Sequence, residues 1–207
     1  MTPGISETIL LSFFIGLSGA LAPGPTLVAT IQASLCGGWS MGPKVTAGHM
    51  LIESLLFLLI LTGVSAALIG FSREIAVIGG ISLIVFGIMT LKGSGGASGV
   101  EKNHGVVSNP YIAGFLTGVS NPYFWIWWFT IGGVLLLSAL EDGLSFGVAF
   151  MAGHWCADLG WLTLVSLGID RGRNVLLFGG YRYVLIVCGA AMTLFGLSFI
   201  VSSLPWV

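Results

Sequence analysis

Apolar residues run along this chain in long unbroken stretches and not in alternation. Segments such as LLFLLIL at 55–61 and LLLSAL at 135–140 carry no period of two, so they predict helices and argue against a barrel. Six stretches approach the ~20 apolar residues that a helix needs to cross a hydrocarbon layer of about 30 Å. They fall near residues 5–35, 45–70, 75–91, 111–139, 144–168 and 183–204. Polar residues collect between them, most densely in KGSGGASGVEKNHGVVSNP, from Lys92 to Pro110, whose glycine and serine content predicts a flexible linker. The expected organisation is an all-α integral membrane protein with six transmembrane helices. A three-helix unit at 1–91 and another at 111–207 flank the linker at 92–110.

Composition fixes the class. Only 7% of the 207 residues are charged and 56% are hydrophobic, more apolar surface than a soluble domain of this size can bury. The N-terminal MTPGISETILL has no basic n-region, so the first span is expected to be retained. Cys36, Cys156 and Cys188 form no CxxC pair and are expected to be small packing residues. No basic patch with interleaved aromatics points to nucleic acid. No nucleophile–base pair or cofactor loop is visible, so neither an enzyme nor a cofactor is expected.

Charge gives an orientation. Of the seven basic residues, Lys44, Lys92, Lys102, Arg171, Arg173 and Arg182 follow the first, third and fifth spans, leaving only Arg73 opposite. By the positive-inside rule, a multi-pass protein of the cytoplasmic membrane then has its linker in the cytoplasm and both termini outside.

The two halves resemble each other. GWSMGPKVTAGHMLIE (38–53) aligns with GLSFGVAFMAGHWCAD (143–158) at one constant offset, and Arg73, Gly80 and Phe86-Gly87 align with Arg182, Gly189 and Phe195-Gly196. Upstream, the step from Gly19 to Pro23 matches that from Gly118 to Pro122. Each half has three spans, so the second enters the membrane from the opposite side and the repeat is inverted. That arrangement characterises transporters, whose sites lie near the midplane at the repeat interface.

Two interruptions and two acids then stand out. Pro23, Gly24 and Pro25 should break the first span, and Asn121-Pro122 the fourth, because proline removes a donor and clashes with the preceding turn. Broken spans at corresponding positions offer half-helix ends to a substrate, although proline kinks also serve packing. Of the eight acidic residues, only Glu53 and Asp158 lie well inside a span, where an ionised carboxylate costs about 2.5–3.5 kcal/mol on insertion scales. His49 and His154 precede them by one turn on the same faces. A pair holding helices together is the plainer alternative to a functional site. The aromatic run YFWIWWF (123–129) is expected to be belt or packing, with Tyr123 and Trp125 the members most worth testing, and His104 is expected to be solvated in the linker.

With APGP at 22–25, GFLTGVSNP at 114–122, and a glycine-rich second span holding one buried acid, the chain resembles the bacterial and archaeal LysE-type exporters, the lysine/homoserine exporter family of amino-acid efflux carriers. The resemblance covers nearly the whole chain. It implies export of a small basic or neutral amino acid, driven by proton antiport. Relatives commonly have Asn-Pro-Lys where this chain has Asn121-Pro122-Tyr123, and the His154/Asp158 pair is not expected of every member. Substrate and protons are the expected partners, lipid the surroundings, and a homodimer is compatible with the chain. In the site this suggests, the α-carboxylate meets the half-helix ends near Gly24 and Asn121, and the ammonium meets Glu53 or Asp158. The alternative is a divalent-metal exporter using His49, Glu53, His154 and Asp158 as an N₂O₂ ligand set. A membrane scaffold would leave the repeated acids unexplained.

Overall fold

A computed structural model describes residues 4–62, 72–94, 109–172 and 180–202, and among these every regular element is helical. The chain forms α1 (Ile5–Ala20), α2 (Pro25–Gly37), α3 (Met41–Leu61), α4 (Ser72–Ser94), α5 (Pro110–Ser120), α6 (Pro122–Trp127), a π turn (Trp128–Gly132), α7 (Gly133–Glu141), α8 (Leu144–Arg171) and α9 (Tyr181–Ser202). Three uninterrupted helical segments, Met41–Leu61, Pro122–Glu141 and Leu144–Arg171, are long and apolar enough to cross a membrane, and α1 with α2 makes a fourth if the bent pair is one span. Outward-facing Leu51, Leu55 and Leu58 on α3 and Leu194 and Leu197 on α9 give a surface suited to lipid. The protein is a multi-pass membrane protein.

Both expected breaks occur, for a common backbone reason. A residue before proline is driven out of the helical region, and Gly24 (φ −150°, ψ −179°) and Asn121 (φ −85°, ψ 107°) are both extended. Pro25 and Pro122 then start new helices at the first position, where a missing N–H costs nothing. The first break turns the chain by 82° between α1 and α2. Most other helix boundaries fall within a few residues of expectation, but α3 closes at Leu61 with Thr62 as its C-cap, short of the expected 70, and residues 63–70 lie outside the described residues. α3 starts at Met41 and not near 45, since Gly38 in a positive-φ conformation (φ 78°) closes α2 and lets a new helix follow at once. Most of the linker, residues 95–108, lies outside the described residues. So do His104, Lys102 and Arg173.

Glycines set how closely the helices pack. A side chain at Gly48 would strike the Tyr111 carbonyl, and one at Gly114 the Val45 carbonyl, so α3 and α5 meet backbone to backbone. Gly153 does the same for α8 against the Ile9 carbonyl of α1. α4 and α9 cross on two reciprocal pairs, Gly80 with Gly196 and Gly87 with Gly189. Between these contacts lies an apolar core that includes Ile52, Leu56, Phe124, Leu136, Phe150 and Met151. Of the three cysteines, Cys188 is buried as a packing residue should be, but Cys36 and Cys156 lie on exposed helix faces and do not fill the core.

Candidate functional site

The middle of α3 and the middle of α8 bring their acids together. Glu53 is 1% exposed and Asp158 5%, and one ligand atom each from His49, Glu53 and Asp158 lie within 4.8 Å of one another. His154, the fourth of the sequence-predicted polar residues on these helices, joins them. Its Nε2 is 2.9 Å from Glu53 Oε1 and 3.4 Å from Asp158 Oδ2. His49 Nε2 is 3.6 Å from the same Glu53 oxygen. Thus each histidine does approach the acid one turn further along its own helix, but the shortest contact crosses between the halves.

Glycine again allows the approach. A Cβ on Gly16 would sit 2.8 Å from His154 Nδ1, and a Cβ on Gly118 would sit 2.8 Å from His49 Nδ1. The two imidazoles therefore lie close against glycines of α1 and α5. This pairing matches Gly16 with Gly118, whereas the sequence pattern pairs Gly19 with Gly118. Gly19 instead packs on the Trp127 indole, which would stand 3.3 Å from a Cβ placed there. The reason is length: residues 21–24 separate α1 from α2, but Asn121 alone separates α5 from α6.

Two tryptophans that the sequence assigns to belt or packing complete the wall. Trp128 is 1% exposed and its Nε1–H donates to Glu53 Oε1 at 3.4 Å. Trp127 stacks on His154 with ring centroids 4.7 Å apart, and its Nε1–H donates to Ser18 Oγ at 3.2 Å. Consecutive residues of a helix point about 100° apart, and the π turn starting at Trp128 widens the coil where both must reach inward. A fully buried indole needs an acceptor for its N–H, which is the signal that could have singled out Trp128. Of the two aromatics singled out by sequence, Tyr123 lines the cavity and donates to the Ser18 carbonyl at 3.0 Å. Trp125 turns away and donates to the Val119 carbonyl at 2.8 Å.

The cluster faces a cavity with an internal volume of about 50 Å³, bounded on its other side by the two helix breaks. At about 10–15 Å³ each, that is room for roughly three to five waters. Gly24 and Asn121 line it and touch, with Asn121 Nδ2 3.2 Å from the position of a Cβ on Gly24. Pro23, Pro25 and Pro122 shape the breaks from behind without lining the cavity. Two carboxylates and two imidazoles at this range, away from water, interact strongly, so the site favours a cationic group or protons that balance the acids. The same donor set, nitrogen and oxygen in close array, also suits a divalent metal.

A family model described as LysE type translocator matches residues 17–203, which include both breaks and both acids. No curated protein and no solved structure matches the chain.

Proposed function

The chain belongs to the LysE type translocator family, and from that premise we propose that it is a secondary transporter exporting a small basic or neutral amino acid across the cytoplasmic membrane by proton antiport. The observation that carries this reading is the meeting of Glu53 and Asp158 in one cavity with the ends of two broken helices. An amino acid presents an ammonium and a carboxylate a few ångströms apart. The acids suit the first, and the half-helix ends at Gly24 and Asn121 suit the second. One acid takes the ammonium while the other carries the coupling proton, and protonation from the outside weakens the ammonium contact and favours release. No covalent chemistry is required, in keeping with a translocator.

Six spans in two inverted three-helix repeats are part of the same proposal. The paired glycine contacts support it: an exchange of halves that takes Gly80 to Gly189 and Gly87 to Gly196 turns one α4–α9 contact into the other. The Gly16–His154 and Gly118–His49 contacts are likewise exchanged. Orientation with both termini outside is supported by Asp170, whose carboxylate lies beside Gly38 and so gathers the Lys44 end of α3 and the Arg171 end of α8 on one face.

A second reading, export of a divalent metal, is favoured by the His49–Glu53–Asp158 donor set. One experiment separates the two. Uptake into inverted membrane vesicles under an imposed pH gradient is measured for the twenty amino acids and for zinc, manganese and cadmium. The proposal expects gradient-driven uptake of an amino acid that is lost in both Glu53→Gln and Asp158→Asn. Metal uptake alone would give the second reading, and transport unaffected by both substitutions would remove the site.

A further inference from the structure

The two half-helix ends that meet at the cavity differ in one respect. The start of α6 is already capped: Asn121 Oδ1 accepts the Tyr123 N–H at 3.1 Å. The start of α2 is not. Its N-cap is Gly24, and among the described residues no side chain accepts from its first turn. Pro25 has no N–H, so the amides of Thr26 and Leu27 lie ahead of the helix's own carbonyls and face the cavity end. Beside them the Thr26 hydroxyl is shut away from water, with the residue only 8% exposed, and has no hydrogen-bond partner among the described residues. A buried hydroxyl without a partner is unfavourable unless something else completes it.

We infer that the start of α2 is the carboxylate subsite, with Thr26 as its specificity-determining side chain. This rests on the amino-acid reading above and sharpens it, since it takes the carboxylate from a shared position between two helix ends to one of them. A substrate carboxylate there would act as the missing cap, accepting from the Thr26 hydroxyl and the first-turn amides at the positive end of the helix. With its Oδ1 committed to Tyr123, Asn121 turns its Nδ2 toward Gly24 and adds a donor at the same place. Gly24 leaves room for this, since any side chain there would press on that amide. The opposite wall, with Glu53 and Trp128, then receives the ammonium, which fixes the direction in which the cargo lies.

The test compares each of the twenty amino acids with the amine formed by its decarboxylation, such as alanine with ethylamine and lysine with 1,5-diaminopentane. Binding to the purified protein in detergent is followed by tryptophan fluorescence, because Trp127 and Trp128 line the cavity. For the best-bound amino acid, the wild type is expected to prefer it over its amine by about tenfold or more, from one charge-assisted hydrogen bond with its helix end. Thr26→Val should erase most of that preference by weakening the amino acid alone, and Thr26→Ser should restore it. Glu53→Gln should weaken amine and amino acid together. Equal binding of acid and amine by the wild type, or equal weakening of both in Thr26→Val, would overturn the subsite while leaving the acid cluster standing. Binding of no amino acid at all would overturn the broader proposal and this one with it.

Discussion

His154 Nε2 lies 2.9 Å from Glu53 Oε1, so a histidine from the second half of the chain serves the acid of the first. Trp128 adds an N–H to the same oxygen and His49 stands at its edge. Glu53 is thereby the hub of the cluster, touched by both histidines and Trp128 and in direct reach of Asp158, which His154 also approaches. The geometry gives the two acids unequal surroundings, and unequal consequences of losing them.

Glu53→Ala is expected to cost more stability than Asp158→Ala. Removing Glu53 leaves the Trp128 N–H buried without its acceptor, at about 1–3 kcal/mol, and leaves His154 only its longer contact with Asp158. Removing Asp158 leaves His154 its shorter contact with Glu53. Thermal unfolding of the two variants in the same detergent measures the difference, and equal losses would contradict the assignment of Glu53 as hub.

Trp128→Phe should lower transport about tenfold, the worth of one hydrogen bond to a charged group, while keeping the ring that fills the core. Trp125→Phe, whose donor serves the Val119 carbonyl outside the cavity, should leave transport within about twofold of wild type, the small effect expected of a change that touches none of the site's groups. Initial rates of vesicle uptake for the two variants decide it. A larger effect at Trp125 would mean that the aromatic wall acts through packing and not through Glu53.

Much of the fold is legible in the sequence because lipid leaves a chain few options. Apolar runs have to be helices, prolines at 23, 25 and 122 have to interrupt them, and an acid at 53 or 158 has to find a partner. What a one-dimensional pattern does not supply is contact between helices. The spacing of His154 and Asp158 speaks only of one helix face, whereas the shortest bond goes across to Glu53. Trp127 and Trp128 are hidden among aromatics that also suit a membrane interface, and the π turn beginning at Trp128 leaves no residue signature. The glycine register near Gly16 is obscured because the two breaks differ in length.

Glycines that look alike in the sequence should divide sharply on substitution. Gly48→Ala and Gly114→Ala push a methyl group into the carbonyl of a neighbouring helix and are expected to cost about 1–3 kcal/mol or to prevent folding. Gly160→Ala and Gly168→Ala enter open space on α8 and should be neutral or stabilise by up to about 1 kcal/mol through helix propensity. Yields of monodisperse protein and unfolding temperatures for the four variants provide the comparison. Similar behaviour of all four would refute close backbone contact between α3 and α5.

A chain of hydrogen bonds ties α2, α3 and α8 together. The Gly42 N–H donates to Ser166 Oγ at 2.9 Å, and Ser166 and Ser34 share a hydrogen bond between their hydroxyls. Ser34 also donates to the Thr30 carbonyl at 2.6 Å, which leaves Ser166 as the donor to Ser34. All three positions are buried, so each partner removed must be replaced or left bare. Ser166→Ala removes the shorter of the two acceptors of the Gly42 amide, leaving the Trp39 carbonyl at 3.3 Å, and with it the bond to Ser34, and should cost about 0.5–1.5 kcal/mol. Ser34→Ala should cost less, because Ser166 keeps the Gly42 amide satisfied and can turn its own proton to a carbonyl of its helix. The double variant should lose less than the sum of the two, with a coupling of about 0.5–3 kcal/mol, since both singles break the same hydroxyl pair. Strict additivity in a thermal or denaturant double-mutant cycle would show that the two serines stabilise their helices separately and do not join them.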